Sequence, residues 1–297
     1  MLLVVIIWGT NFAIVKGALS QIPPLAFTAL RFGIASILLL PIVYFREHAF
    51  MPPRGSVWKL VWLGLVGNTI YQLLFIIGLS RTTAANCALL IATTPVLVAL
   101  LGAILRIERV TRIVAAGIAL AFAGIAVVVA ARGVTLSRAT LAGDLLVFAA
   151  AVCWAIYTLG VRSLGEGHSP LRITAMTMLT GTPGLLLFGA PQLLRMDWHR
   201  VEPTGWLSLA FTSIFSLVLA YVIWNTSVRA VGSSRTAIYA CATPLVAALV
   251  AHFLLGERFV ALQAAGASLI IAGVLLTRRT TKEKIVGVAE NEIHVSA

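Results

Sequence analysis

Apolar residues in this chain neither alternate with polar ones nor mark one face of short helices. They continue for roughly 17 to 25 residues at a stretch, the length that crosses a bilayer. Ten such stretches lie at 2–19, 25–44, 57–78, 82–104, 112–131, 141–162, 170–190, 204–228, 233–255 and 260–277. Barrel strands would need a period of two, which is absent, so the pattern predicts ten α-helices that satisfy their own backbone polar groups within the membrane. Together the stretches take 212 of the 297 residues. The short connections leave no room for a soluble catalytic or receptor domain, and the predicted fold class is all-α integral membrane.

Displacing the chain against itself by 149 residues aligns the third to fifth stretches with the eighth to tenth without a gap. Between 94 and 124, 13 of 31 positions are identical, among them Thr94/Thr243, Pro95/Pro244, Glu108/Glu257, Arg109/Arg258, Gly117/Gly266 and Gly124/Gly273. Apolar composition alone yields chance Leu and Ala matches, but not coincident Pro, Glu-Arg and Gly pairs. A displacement of 146 brings Trp8 onto Trp154, Val15 onto Val161, Lys16 onto Arg162 and Pro24 onto Pro170. Each half therefore holds five helices, in residues 1–134 and 135–279, followed by a polar tail at 280–297 that is expected to be disordered. An odd number of helices per half turns the second half upside down in the membrane. Secondary transporters use this arrangement and place their substrate near the midplane, between the halves.

Polar and aromatic residues interrupt the apolar runs at helical spacing, which puts each set on one face. The first stretch presents Trp8 and Asn11, and the sixth presents Trp154 and Tyr157 in the equivalent places. The third offers Asn68, Tyr71, Gln72 and Phe75, the eighth Tyr221, Trp224 and Asn225, the fourth Asn86 and Thr93, and the ninth Tyr239. Polar groups are expensive against lipid, so these faces are expected to turn toward a cavity or toward other helices. Aromatic walls with a few amides and hydroxyls suit a small, partly apolar, zwitterionic solute. The competing reading gives Trp and Tyr to interfacial belts and Asn and Thr to ties between helices. Trp58, Trp62, Trp198 and Trp206, near stretch ends or in a loop, are assigned to belts.

Pro95 and Pro244 stand near the middle of the fourth and ninth stretches as candidate hinges. Each removes a helical N–H and leaves the carbonyl four residues earlier, that of Ile91 or Ala240, without its usual donor. Such a carbonyl either accepts a hydrogen bond from substrate or is satisfied at a simple kink by neighbouring Thr94 or Thr243. Pro183 has no equivalent in the other half and is read as a kink.

Composition agrees with the pattern, at 60% hydrophobic and 11% charged residues and a mean hydropathy of +1.01. The formal charge of +12 does not indicate nucleic acid, because the basic residues are scattered between stretches. Of these, 14 fall on the side holding both termini and 7 on the other, which places the termini in the cytoplasm. Arg31 alone lies well inside a stretch, where a structural role is favoured over substrate binding. None of the ten acidic residues lies mid-stretch, so tight proton coupling lacks its usual carboxylate. His252 is the remaining candidate and is read as packing, which leaves gradient-driven export. Cys87, Cys153 and Cys241 read as small apolar residues within stretches. No metal site or cofactor is indicated, and no H-E-x-x-H, G-x-S-x-G or paired intramembrane aspartates point to an enzyme. The first 20 residues lack a basic n-region and read as a span, not a signal peptide.

Several motifs then fall into a familiar order. Trp8-Gly9-x-Asn11-Phe12 with Lys16, Pro24 with Leu30-Arg31-Phe32, and Gly256-Glu257-Arg258 followed by Gln263, Gly266 and Gly273 resemble EamA-type members of the drug/metabolite transporter superfamily. The resemblance covers nearly the whole chain. It implies ten helices in two inverted five-helix repeats that export metabolites such as amino acids, the aromatic amino-acid exporters being one candidate branch. Gly9 becomes Ala155 and Asn11 becomes Tyr157 in the second half, so the cavity is expected to be asymmetric. The expected partners are a small-molecule substrate and the lipid of a bacterial inner membrane, without nucleic acid. The fifth and tenth helices, nearly uniformly apolar, are read as supports or as the surface of a homodimer, and a monomer fits equally. Aromatic and other neutral amino acids are the favoured solutes. Broad efflux of drugs or nucleobase-like metabolites is the second reading, and a non-transporting receptor or scaffold the third.

Overall fold

A computed structural model of the chain describes residues 1–47, 54–105, 112–130, 138–164 and 168–256, and 261–276 apart from 263 and 274. The Glu108-Arg109 and Glu257-Arg258 turns and the tail at 280–297 lie outside the described residues. In chain order the helices are α1 (Leu2–Ala18), α2 (Pro24–Glu47), α3 (Val57–Arg81), α4 in two halves (Ala84–Ile91 and Thr94–Ile104) and α5 (Arg112–Ala130). They continue with α6 (Arg138–Ser163), α7 (Pro170–Arg195), α8 (Pro203–Val231), α9 in two halves (Ser233–Tyr239 and Thr243–Leu255) and α10 (Ala264–Gly273). Among the described residues there is no strand. Six helices, α2, α3, α4, α6, α7 and α8, are long and apolar enough to cross a membrane, and α1, α10, part of α5 and the second half of α9 are shorter apolar helices.

The helix ends follow from their residues. Ser169 caps α7 by accepting the Arg172 backbone N–H at 3.0 Å, and Pro170 follows where a missing N–H costs nothing. Thr83 caps α4 by accepting from the Asn86 backbone at 3.2 Å. Lys16 closes α1 and donates to the carbonyls of Leu79 and Ser80, at 2.8 and 3.3 Å, which end α3.

Two departures from uninterrupted α-helix bear on the centre of the molecule. The fourth and ninth stretches, expected as single helices, break at Ala92–Thr93 and at a 3-10 turn over Ala240–Ala242. Pro95 and Pro244 then fall in the first turn of each second half, where proline is tolerated. In addition, α3 winds as a π-helix over Leu65–Ile70 and α8 over Thr212–Leu219. Under the 149-residue displacement these π segments overlap, as do the two breaks.

Packing is closest where side chains are small. Along α2 runs α7, along α3 runs α6, and against α1 lies the second half of α9. A Cβ on Gly181 of α7 would come within 2.6 Å of both the Gly64 carbonyl oxygen and the Asn68 Cβ of α3, so only glycine lets these backbones meet. Gly124 of α5 sits the same way, its added Cβ 2.7 Å from the Gly266 carbonyl of α10. Near the end of α2, Glu47 pairs with Arg172 at 2.8 Å and accepts from Ser169, joining α2 to α7. Buried apolar side chains gather in two large clusters, one around Phe32, Leu60 and Trp224 and the other around Phe27, Phe75 and Ile76.

Candidate functional site

Between these clusters lies a cavity of about 640 Å³, its mouth included. Seven helices contribute to its wall. From α1 come Trp8, Asn11 and Phe12, from α2 Arg31, and from α3 Tyr71, Gln72 and Phe75. The break in α4 supplies Ala88, Ile91, Ala92 and Thr94, and the break in α9 supplies Ala240 and Thr243. Trp154 of α6 and Ser216, Leu217 and Tyr221 of α8 complete the lining.

The rings form one continuous layer. Trp154 is 4% exposed and its ring centroid lies 5.0 Å from Tyr157, 5.1 Å from Tyr71, 5.2 Å from Tyr221 and 5.7 Å from both Trp8 and Trp224. Tyr71 continues the layer by stacking on Phe75 at 5.8 Å, and Phe75 meets Phe12 at the same distance. The polar atoms are held by few, specific bonds. Trp8 Nε1 donates to the Ser216 carbonyl at 3.1 Å, and Ser216 Oγ donates to Asn11 Oδ1 at 2.8 Å. The π turn places Ser216 there, because i→i+5 bonding adds a residue to the turn and brings positions five apart onto one face. Gln72 Nε2 donates to the Tyr221 hydroxyl at 3.4 Å, while Gln72 Oε1 accepts from the Arg31 guanidinium. Arg31, only 1% exposed, also lies 5.8 Å from the Phe27 ring and 5.7 Å from the Phe32 ring.

Of the residues named from sequence, Trp8, Asn11, Tyr71, Gln72, Phe75, Trp154 and Tyr221 meet in this wall. Tyr157, Trp224 and Asn225 lie beside it in a packed layer. There Asn225 Nδ2 donates to the Tyr157 hydroxyl at 3.0 Å and to Thr174 Oγ1 at 2.8 Å, and the Trp224 ring rests on Trp8 at 5.1 Å. Asn86 is buried at the start of α4, outside the lining, and Tyr239 is 47% exposed. Pro95 and Pro244 set the two breaks, and the carbonyls they release find local donors: Thr94 Oγ1 reaches Ile91 O at 2.6 Å, and the Thr243 backbone N–H turns to Ala240 O. Thr243 Oγ1, the counterpart of the Thr94 hydroxyl, is buried without a partner. Among the polar lining residues, Ser216 carries no signal in the sequence because its place depends on the π turn, and Arg31, for which the sequence favours a structural role, borders the cavity.

A further regularity concerns the repeat. Trp8 and Trp154, equivalent under the 146-residue displacement, touch edge to face. Ser36 and Thr182, equivalent under the same displacement, share a hydrogen bond of 2.8 Å. Gln72 and Tyr221, equivalent at 149, are bonded as described, and the Ile91 and Ala240 positions both border the cavity.

Comparison with known proteins agrees with this architecture. A solved structure superposes with a TM-score of 0.69 at 19% identity, covering 94% of this chain and 96% of that one, which shows a shared fold. The uncharacterized transporter YyaM of Bacillus subtilis (strain 168) is 30% identical over 271 residues, 90% of this chain and 88% of its own. A probable amino-acid metabolite efflux pump of Salmonella typhimurium is 29% identical, covering 93% of this chain and 92% of its own. A probable terminal-alkyne amino-acid exporter of Streptantibioticus cattleyicolor is also 29% identical, over 95% of this chain and 93% of its own. The profile of the EamA-like transporter family matches residues 1–130 and again 141–279. With nearly all of its length matched and its helices packed around a central cavity, the chain belongs to the EamA-like transporter family of multi-pass membrane proteins.

Proposed function

We propose that this membrane transporter exports amino acids, aromatic and other neutral ones preferred, by alternating access of the central cavity. The observation that carries the reading is the meeting of repeat-equivalent residues: Trp8 with Trp154 and Gln72 with Tyr221 in the cavity wall, and Ser36 with Thr182 between α2 and α7. A residue touches its own equivalent only beside the axis that relates the two copies. These pairs therefore support residues 1–134 and 135–279 as two inverted repeats with the cavity on their pseudo-two-fold axis, and the double match of the family profile supports the same division. The paired breaks in α4 and α9 are the natural hinges when the halves rock about that axis.

The aromatic wall suits a side chain with a flat or apolar body. Relatives named as an amino-acid metabolite efflux pump and an alkyne amino-acid exporter support the same solute class. Among the described residues no carboxylate, lysine or histidine lines the cavity. This favours a carrier driven by the solute's own gradient over a proton-coupled pump. In a bacterial inner membrane both termini would face the cytoplasm. The test is flux of labelled amino acids, drugs and nucleosides in proteoliposomes, with and without an imposed pH gradient. Neutral amino acids should move down their gradient at equal internal and external pH. Flux confined to drugs or nucleosides would overturn the substrate assignment, and flux that requires the pH gradient would overturn the facilitator mechanism.

A further inference from the structure

Arg31 is short of partners for a buried cation. A guanidinium presents five N–H donors, yet among the described residues its one hydrogen-bond acceptor is Gln72 Oε1, and its Nε is buried with no acceptor at all. Among the described residues no carboxylate pairs with it. Glu47, at the far end of Arg31's own helix, is engaged by Arg172 and Ser169, and Asp144 of α6 accepts from Thr82 at 2.5 Å. Nor does Arg31 reach loop carbonyls, as a snorkelling side chain would: it is 1% exposed and flanked by Phe27 and Phe32. A charge this deep without a counterion is costly unless something else supplies the anion. Arg31 borders the cavity, and it is the only charged side chain in the described lining.

We propose that Arg31 is the carboxylate anchor of the transport cavity, so that the carrier selects solutes bearing one carboxylate next to an aromatic or apolar body and rejects amines that lack it. The proposal rests on the cavity being the transport site and names what that site requires. The planar fork of a guanidinium matches a carboxylate bidentately. A single cation with no second basic group beside it suits one negative charge and not a phosphate dianion. Gln72 acts as the positioning residue: its Oε1 holds the guanidinium while its Nε2 is tied to Tyr221. Tyr71, Phe75 and Trp154 then stand ready for the body of the solute.

The experiment uses the detergent-purified full chain and three probes that share one ring system: tryptophan, indole-3-propionate, which lacks the amine, and tryptamine, which lacks the carboxylate. Wild-type protein should be stabilised thermally by the first two and not by tryptamine. Arg31→Gln should weaken binding of both acids by about 10- to 100-fold, the scale of a charged hydrogen bond. If that variant does not fold, Gln72→Glu carries the test, because it keeps Arg31 and supplies an internal counterion; it should weaken both acids to a similar extent. Tryptamine binding as well as tryptophan, no binding of any probe to wild type, or undiminished indole-3-propionate binding in either variant would each overturn the proposal. Flux in proteoliposomes separates it from the transport reading. Amino-acid flux that tryptamine inhibits as well as indole-3-propionate does would reject the anchor and leave the carrier standing. Carboxylate-dependent binding without amino-acid flux would do the reverse.

Discussion

Trp154→Ala is the substitution that bears most directly on the cavity, since this ring borders it and also packs against five other rings at 5.0 to 5.7 Å. If each aromatic pair contributed its usual ~0.5–1.5 kcal/mol independently, the five would sum to about 2.5–7.5 kcal/mol, whose upper end passes the cost of truncating a buried tryptophan, about 3–5 kcal/mol. The pairs share one ring and cannot add, so the truncation figure is the better guide. Against a typical stability of about 5–15 kcal/mol, the variant should fold but melt earlier. Melting can be followed with a thiol-reactive dye, because the Cys87 side chain is buried until the helices open. Losing one or two ring contacts to solute, at about 1–2 kcal/mol, should weaken tryptophan transport about 5- to 30-fold per folded molecule. Trp154→Phe should recover much of both losses, since it keeps a ring in the layer. A variant that melts early yet transports tryptophan like wild type, once corrected for folded protein, would make Trp154 a packing residue and refute the cavity assignment. Unchanged melting would refute the ring-layer energetics.

Other expectations follow from single features. Thr243→Val removes a buried hydroxyl that has no partner, so melting should hold steady or rise by up to ~1 kcal/mol in stability; amino-acid flux should fall if that hydroxyl serves the solute, and a wild-type rate would exclude the role. Gly181→Val drives a side chain into the Gly64 carbonyl and the Asn68 Cβ at 2.6 Å and should cost about 1–3 kcal/mol, read as a lower midpoint in the same melting assay. His168, in the connection before α7, has its pKa lowered from 6.5, first by burial and then by Arg172 and Arg229. The unfolded chain therefore takes up this proton before the folded one, so stability should drop as pH falls below about 6.5, and His168→Asn should flatten that slope in melts collected from pH 7.5 to 5.5.

The helices were legible because length in hydrocarbon is a one-dimensional constraint: a run of apolar residues long enough to span must be written contiguously. The inward faces were legible for a related reason, since Trp8 with Asn11, and Tyr71 with Gln72 and Phe75, are too polar or too large to repeat at helical spacing against lipid by accident. What escaped the sequence is geometry that no local residue type encodes. No residue type marks the π turn, so Ser216 reads as a face apart from Tyr221 when regular 3.6-residue turns are assumed. Tyr157 and Asn225 carry the same spacing signature as cavity residues but bond to each other and to Thr174 instead. Periodicity identifies an inward face; it does not tell a face that meets solute from one that meets another helix.

The breaks in α4 and α9 show how a shared Thr-Pro pair can build unequal surroundings. Thr94-Pro95 and Thr243-Pro244 are written alike, and each proline falls in the first turn of the second half-helix. Yet the Thr94 hydroxyl is spent on the Ile91 carbonyl, while the Thr243 hydroxyl remains unbonded at the cavity edge. Across the cavity, Gln72 and Tyr221 occupy equivalent places, but it is Gln72 that accepts from Arg31 through its amide oxygen while donating to its own counterpart through its amide N–H. The backbone thus repeats a pair of breaks, while a few unlike side chains give the chamber between them its polarity. A solute with an acid at one end and a ring at the other would be held in one orientation, with its acid toward α2 and α3 and any donor or acceptor it carries within reach of α9. Exchanging the two sides by the paired substitutions Gln72→Tyr and Tyr221→Gln should keep the rings and amides in number but replace the amide carbonyl that holds Arg31 with a phenol oxygen, a weaker acceptor at a different reach. Flux of neutral amino acids should then fall by at least about tenfold, the scale of one charge-assisted hydrogen bond, whereas a carrier in which only the composition of the wall mattered would tolerate the exchange.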